Sequence, residues 1–342
     1  MYNNVLITGG TGTFGTSYIL KSIENGWHRK IIVFSRDEFK QTRLSRYLRN
    51  KFKSRLINGK DFSITLDNCE IRFFIGDIAN IDRLKVAMKG VDLVIHAAAL
   101  KHVPVCEYNP EQAIDTNIIG ALNVAKAAAA QNVSKVVALS TDKAADPINL
   151  YGATKLCLEK VFLGARSYYH DTTSFHIVRY GNVIASRGSI IEILSDKNKE
   201  DFTLTEPSMT RFWISIEDAI ELTRFAIENG ISNEIFVPKM LSLEMESVFK
   251  WIRPDIVPEI TGIRSGEKLH ETMISKNDLQ KTYDLGFCYV IESEIYKSPL
   301  IRGIPVVKLD EYTSNSSDRF TKTRFLKKVI DTMINDVSEL QS

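Results

Sequence analysis

Tyr151 and Lys155 stand four residues apart, a spacing that puts both side chains on one face of a helix. An ammonium beside a phenol lowers the phenol pKa, so the pair could take a proton from a hydroxyl group. Asp142 and Lys143, two more groups with proton chemistry, follow the Ser140-Thr141 end of an apolar run. Adjacent opposite charges there fit either an acid–base pair or a salt bridge with no chemical role. A Tyr-x-x-x-Lys pair alone is common on helices. What gives this one meaning is Gly9-Gly10-Thr11-Gly12-Thr13-Phe14-Gly15 at the start of the chain. Glycines at 9, 12 and 15 permit a tight turn, let backbone approach a pyrophosphate and allow the next helix to pack closely. The turn follows an apolar run and precedes a helical stretch, so it reads as a dinucleotide-binding turn. Tyr151 could then deprotonate a hydroxyl while hydride leaves for a nicotinamide.

The apolar run ending at Ser35 selects the dinucleotide. An acidic residue there would take the ribose hydroxyls of NAD, whereas Arg36 offers a guanidinium suited to the 2′-phosphate of NADP. Asp37 and Glu38 follow at once, so NADP is expected and NAD is the alternative. Asp77, just past the third run, is placed either to meet the adenine or to cap a helix.

The elements that must hold these groups can be read from periodicity. Apolar runs at residues 5–8, 30–35, 71–75, 91–96, 136–140 and 175–180 read as strands buried on both faces of a parallel sheet. Between them, Asn80 can cap a helix that Gly90 ends, and residues 111–131, with Asn117, carry the alanine-rich spacing of a packed crossover helix. Alternating strands and helices predict an α/β, Rossmann-type doubly wound parallel sheet, its ligand crevice at the carboxyl ends of the strands. Residues 60–68 break the rhythm and read as an inserted polar loop. Past residue 185 the alternation stops. Helices at 216–229 and 266–275 and a strand at 234–238 predict a smaller C-terminal α/β substrate lobe. Residues 313–318 read as a linker and 319–340 as a final amphipathic helix. The expected division is residues 1–185 for the dinucleotide domain, with part of its sheet completed from later residues, 186–312 for the substrate lobe, and 313–342 for a helical tail.

A chain of 342 residues with 44% hydrophobic content can bury a sizeable core. A net charge of +2 argues against a nucleic-acid partner, and the basic cluster from Arg43 to Arg55 reads as a solvated helix face. Cys69, Cys106, Cys157 and Cys288 lack disulfide or zinc spacing, which fits a reducing compartment. No signal pattern opens the chain, and the run at 91–100 is about half a membrane span and interrupted by Asp92 and His96. A cytoplasmic protein without membrane attachment is expected. No metal site is expected, and His96 and His102 read as structural.

Together these motifs resemble the extended short-chain dehydrogenase/reductases. Ser140-Thr141-Asp142-Lys143-Ala144-Ala145 with Pro147-Ile148-Asn149-Leu150-Tyr151-Gly152 is similar to the inverting UDP-N-acetylglucosamine 4,6-dehydratases of flagellin and capsule sugar pathways. Further matching segments are Ser35-Arg36-Asp37-Glu38, HAAALKHVP at 96–104, RYGNV at 179–183, ASRGS at 185–189, MTRFW at 209–213 and GIRSGEKLHE at 262–271. Ser265 departs from the proline of many relatives, which would loosen that turn. The likeness is specific from about residue 4 to 274 and weak beyond.

The resemblance implies roles. Tyr151, assisted by Lys155 and Thr141, would deprotonate the sugar 4-hydroxyl as C4 is oxidised. Lys143 would then remove the acidified C5 proton while Asp142 protonates the departing 6-hydroxyl. Hydride would return to C6 and a proton to the opposite face of C5, inverting it and leaving a tightly bound, recycled NADP unchanged. The implied cofactor shell is Gly9, Thr11, Gly12, Thr13, Phe14, Gly15, Ser35, Arg36, Asp37, Lys40, Asp77, Ile78, Ala97, Ala98, Ala99 and Asn117, with Tyr151 and Lys155. The implied UDP-sugar shell is Lys101, Thr141, Asn182, Val183, Arg187, Arg211, Arg264 and Glu267. A homo-oligomer based on a dimer, up to a hexamer, is also implied. The competing readings are a retaining 4,6-dehydratase, a UDP-sugar 4-epimerase, and a catalytically silent NADP-sensing binding protein.

Overall fold

Runs that are apolar along their whole length bury both faces, and here they form one sheet with helices on either side. The computed structural model describes residues 2–334 apart from 53, 58–59, 67–68, 170–171, 197, 200, 232, 296 and 309. In chain order its first part runs β1 (Asn4–Thr8), α1 (Thr13–Glu24), β2 (Lys30–Ser35), α2 (Glu38–Lys51), β3 (Ser54–Ile57), β4 (Lys60–Leu66), β5 (Cys69–Ile75), α3 (Ile81–Ala87) and β6 (Leu93–His96). It continues with α4 (Val103–Tyr108), α5 (Pro110–Ile114), α6 (Gly120–Ala130), β7 (Lys135–Thr141), α7 (Leu150–Tyr168) and β8 (Ser174–Tyr180). The basic cluster lies largely on α2, whose buried face is Gln41, Leu44, Ser45 and Leu48.

Among the described residues the main sheet has eleven strands. Its parallel heart is ordered β5-β2-β1-β6-β7-β8 and is extended by the parallel strand Ile235–Pro238. The strand order reverses between β1 and β6, so a crevice opens above their carboxyl ends. Two antiparallel strands from late in the chain, Cys288–Ile291 and Thr282–Asp284, complete one edge.

Two expectations are corrected. Residues 60–66 are not a loop: β3 and β4 form an antiparallel hairpin that adds β4 to the edge of β5. Asn68 lies outside the described residues. The stretch 266–275 is not a helix. Gly266 takes a φ of +80° and starts a turn, and Thr272–Ile274 pairs with Tyr312–Thr313 as a small antiparallel ladder. Pairing with a distant strand outweighs the helix propensity of Glu, Lys and Leu there.

The crossover expected at 111–131 is interrupted by a π-turn at Asp115–Ile119 between α5 and α6. A second apolar core forms around Ile191, Phe202, Trp213, Leu243 and Phe249. The C-terminal helix Lys322–Ile334 joins that core rather than standing apart: Phe325 packs edge-on against Trp213 at 5.7 Å between ring centres. Residues 335–340 of the expected final helix lie outside the described residues. No described helix is long and apolar enough to cross a membrane.

Candidate active site

The glycine turn is held by backbone alone. Gly9 N–H donates to Phe34 O at 2.9 Å, and Gly12 N–H donates to Gly9 O at 2.9 Å. Gly9 has a φ of +66°, and a Cβ there would lie 2.8 Å from the Ala98 nitrogen, so any side chain would push the β1 and β6 loops apart. Gly15 presses on Gly10, with its missing Cβ 2.6 Å from the Gly10 Cα. These approaches leave the first amides of α1 facing a crevice, where an anion would be stabilised.

Two adjoining cavities occupy that crevice. The smaller, about 260 Å³, is lined by Gly9, Thr11, Gly12, Ser35, Arg36, Asp37, Lys40, Asp77, Ile78, Ala97, Ala98 and Ala99, all expected cofactor residues. Thr13, Phe14 and Gly15 line the larger cavity, about 970 Å³. Asn117 lines neither. It is fully buried, and its amide clamps the loop after β6 by accepting from Leu100 N–H at 2.8 Å and donating to Leu100 O at 2.9 Å and Thr154 Oγ1 at 3.0 Å. The π-turn carries Asn117 into the protein, so its part is to hold the loop that walls the cavity.

At the end of β2, the Asp37 carboxylate is spent on the protein: Oδ1 caps α2 through Lys40 N–H at 3.0 Å, and Oδ2 lies 3.4 Å from Lys40 Nζ. These bonds hold its pKa below the ordinary value. Arg36 remains half-exposed beside the cavity, 3.5 Å from Asp77 Oδ2. Asp77 both lines the cavity and caps, accepting from Ala79 N–H at 2.9 Å.

The larger cavity meets most of the expected catalytic residues on one wall. β7 delivers Ser140 and Thr141, a short turn carries Asp142 and Lys143, and α7 begins at an Asn149 cap whose side chain accepts from Gly152 N–H at 2.8 Å. Thr141, Lys143, Tyr151 and Lys155 all line the cavity. Asp142 does not. It is fully buried behind Lys143, accepting from Lys143 Nζ at 3.1 Å and Thr141 Oγ1 at 3.0 Å, so direct contact between its carboxyl and a sugar hydroxyl is not what the geometry gives.

Tyr151 and Lys155 share the cavity wall but have different neighbours within the protein. Burial pushes the Tyr151 phenol up to about 12, and the largest opposing influences come from Lys143 and Thr141. Lys155 donates to Leu139 O at 2.6 Å, and burial pulls its ammonium down to about 8.

The expected substrate residues Lys101, Asn182, Val183, Arg187, Arg211, Arg264 and Glu267 all line the larger cavity. Lys101 Nζ donates to Arg187 O at 2.9 Å, which ties the loop after β6 to the loop at 186–189. Arg187 borders both cavities. Arg211 is less free than expected, its guanidinium donating to Thr210 O at 2.7 Å and Leu269 O at 3.3 Å. The turn at Ser265 is closed by Glu267 N–H donating to Arg264 O at 3.1 Å, and Asn149 Nδ2 donates to Gly266 O at 2.8 Å, docking this turn on the cap of α7.

Two groups of residues escaped the sequence reading. Glu271 accepts from Lys143 Nζ at 3.0 Å, and nothing near it in sequence marks the partnership. Beneath α7, Glu159 receives Ser140 Oγ at 2.6 Å and two donors of the buried Arg179, which also reaches Asp278. This network fixes α7 against β7 and β8. His96 is structural, bonded through Nδ1 to Thr8 Oγ1 at 2.8 Å, and no metal-binding cluster occurs among the described residues.

The chain matches, over residues 5–293, a family described as polysaccharide biosynthesis protein. It is 45% identical over 301 residues to a UDP-N-acetylglucosamine 4,6-dehydratase (inverting) of Campylobacter jejuni subsp. jejuni serotype O:23/36 (strain 81-176), covering 86% of this chain and 85% of that one. It is 39% identical over 346 residues to a UDP-glucose 4-epimerase of Rickettsia bellii (strain RML369-C), covering 97% and 95%. The X-ray structure of Pen from Bacillus thuringiensis superposes with a TM-score of 0.85 at 33% identity, covering 97% of this chain and 98% of that one. With the glycine turn, the Tyr151–Lys155 pair and the reversed strand order in place, the chain belongs to the polysaccharide biosynthesis protein family of extended short-chain dehydrogenase/reductases.

Proposed function

We propose that the protein is an inverting UDP-N-acetylglucosamine 4,6-dehydratase that uses NADP. The observation that carries this reading is Lys143, a third proton-handling group on the same cavity wall as Tyr151 and Lys155, backed by a buried carboxylate. A group that only exchanges the configuration at C4 has no use for it. Identity to a relative named for this dehydration supports the same choice.

A nicotinamide dinucleotide is the cofactor, and the residues present fit it: the glycine turn, the free α1 amides and a continuous crevice of suitable length. When bound, it supplies the two-electron acceptor and donor. NADP is favoured because Asp37 has committed its carboxylate to α2, while Arg36 and Lys40 border the cavity as cations.

Tyr151 takes the 4-hydroxyl proton, its phenol drawn down by Lys143 and Thr141 against the effect of burial. Lys155 anchors the first turns of α7 through Leu139 O and presents its remaining donors to the cavity. Lys143 faces C5 and exchanges its proton. Asp142, shielded behind it, supplies the proton for the departing 6-hydroxyl through Lys143. Arg187 and Arg264, neither ion-paired among the described residues, serve the diphosphate, and Phe202, Leu204 and Phe249 give the far end an apolar wall for a planar base. Val105, Tyr108 and Ile114, exposed along α4 and α5, support association with a second copy, which sedimentation tests.

Incubation with UDP-N-acetylglucosamine in D₂O, followed by proton NMR, tests the reading. The expected product is a 6-deoxy-4-keto sugar with deuterium at C5 and L-arabino couplings. D-xylo couplings would remove the inversion. The epimerase reading, favoured by the relative that matches nearly the whole chain, requires UDP-N-acetylgalactosamine and no methyl signal.

A further inference from the structure

Lys143 sits between two carboxylates. Its Nζ is 3.1 Å from Asp142 Oδ1 and 3.0 Å from Glu271 Oε1. Both carboxylates are buried and lie behind the cavity wall that Lys143 lines. Glu271 is held firmly: its N–H donates to Ser314 Oγ at 2.9 Å, and its carbonyl accepts from Ser314 N–H at 2.8 Å. The other charged neighbours are Arg211, whose Nε is 3.6 Å from Glu271 Oε1, and Lys268. Tyr151 faces Lys143 from α7.

One carboxylate would neutralise one ammonium, so the second has a different consequence. Burial lowers the Lys143 pKa, but Asp142 and Glu271 outweigh it and hold the group above the ordinary lysine value. In the resting protein Lys143 is therefore an ammonium, and an ammonium cannot take a proton from carbon. The outer oxygens, Asp142 Oδ2 and Glu271 Oε2, are buried with no hydrogen-bond partner among the described residues. A buried carboxylate oxygen left so is costly, and a proton shared within the cluster lowers that cost. Burial raises the Asp142 pKa, with the Glu271 charge acting in the same direction. Glu271 is lowered, Lys143 and Arg211 overcoming its own burial, so at rest it is a carboxylate, with Oε1 at 3.0 Å from Lys143 Nζ and so within reach of its proton.

We propose that Glu271 is the proton partner of Lys143, receiving the proton that Lys143 must release before it can act on C5. This rests on the reading of Lys143 as the group that exchanges a proton with C5. In the step, an N–H bond of the ammonium breaks, an O–H bond forms on Glu271, and both charges vanish. The freed amine lone pair then takes the C5 proton. The C–H electron pair passes into the enolate of the 4-ketone, and Lys143 is an ammonium again. Glu271 touches neither sugar nor cofactor in this scheme and is a positioning residue.

The test compares the full-length wild type with Glu271→Gln and Glu271→Asp. Three quantities are read: dehydration rate between about pH 6 and 8, deuterium uptake at C5, and absorbance of the reduced cofactor after mixing with UDP-N-acetylglucosamine. The amide keeps the shape but takes no proton. For Glu271→Gln we expect a loss of roughly 10²-fold in rate and C5 exchange near neutral pH, with cofactor reduction retained. With one carboxylate gone, Lys143 deprotonates more readily, so the loss shrinks as pH rises. Glu271→Asp recovers part of the rate. A Glu271→Gln protein with wild-type C5 exchange overturns the proposal. So does a loss that is independent of pH, extends to cofactor reduction and is equal in both variants, since that is what a packing defect gives. If the wild type itself yields no 6-deoxy-4-keto sugar, the dehydratase reading fails and takes this inference with it, and the same samples reveal that first.

Discussion

Gly152 follows Tyr151 in the first turn of α7, and replacing it by alanine separates stability from catalysis. A Cβ at this position would lie 2.2 Å from the Lys143 carbonyl oxygen, 3.1 Å from its carbonyl carbon and 3.1 Å from Pro147 Cβ. Ordinary contact begins at 3.4 Å, so α7 and the turn carrying Lys143 must part by roughly 1.2 Å. Alanine is the better helix former by about 1 kcal/mol, while overpacking costs about 1–3 kcal/mol. The net cost is about 0–2 kcal/mol, and because the clash is with backbone the melting temperature should fall by a few degrees. Turnover should not be spared, because the displacement opens the distance between Tyr151 and Lys143. A misplacement of about 1 Å costs roughly 10²-fold. Gly164, on the same helix, is the control: its Cβ would meet only Tyr168 Cε2, at 3.5 Å. Gly164→Ala should raise stability by about 1 kcal/mol and leave turnover alone. Initial rates from the NMR methyl signal, with thermal unfolding by circular dichroism, measure both effects. A Gly152→Ala protein that keeps turnover within about twofold would falsify the claim that Gly152 sets the Tyr151–Lys143 spacing.

Lys143→Ala and Asp142→Asn should each lower dehydration by roughly 10²–10⁴-fold while reduced cofactor still appears transiently; near-intact turnover in both would remove the C5 and C6 assignments. Arg36→Ala should weaken NADP binding by about 2 kcal/mol, roughly thirtyfold, and leave NAD unaffected, which calorimetry on the cofactor-free protein reads directly. Lys155 has its pKa pulled down by burial to about 8, so its cationic form is present below that pH and lost as pH rises through it. Affinity of the cofactor-free protein for the dinucleotide should therefore decline above about pH 8, and a flat profile would show that the Lys155 charge does not contribute.

The parallel strands were legible because burial on both faces leaves an uninterrupted apolar run, and β2 begins and ends where its residues predict. β4 was not, because a strand with Lys60 and Asp61 at its start resembles a polar loop until its partners β3 and β5 are known. Residues 266–275 look helical by propensity, and only Tyr312–Thr313, far along the chain, makes a strand of part of them. The site divides in the same way. Motifs that act locally, such as the glycine turn, the Asn149 cap and the four-residue spacing of Tyr151 and Lys155, could be read directly. What depended on three-dimensional contact could not. Asn117 turns away from the crevice, Asp142 hides behind Lys143, and Glu271 arrives from far along the chain.

Relatives bearing two different names fit this chain almost equally well, so the scaffold alone does not choose between them. Both reactions begin alike, with removal of the 4-hydroxyl proton, the role proposed above for Tyr151. They diverge at C5 and C6, where only a dehydratase needs an acid and a base. The protein gathers Asp142, Lys143, Glu271 and Arg211 in one largely buried cluster at the cavity wall, where the proposed function puts C5 and C6. Desolvating such charges costs several kcal/mol per ion before any pairing is recovered. Apolar residues of the same volume would serve the wall's packing as well. Among the described residues the cluster also leaves two carboxylate oxygens unpartnered, a poor arrangement for stability and a useful one for holding and passing a proton. Perturbed, mutually coupled groups beside a substrate-sized cavity mark function more often than scaffolding. The expense falls at the position where the two reactions differ, and that favours the elimination of water.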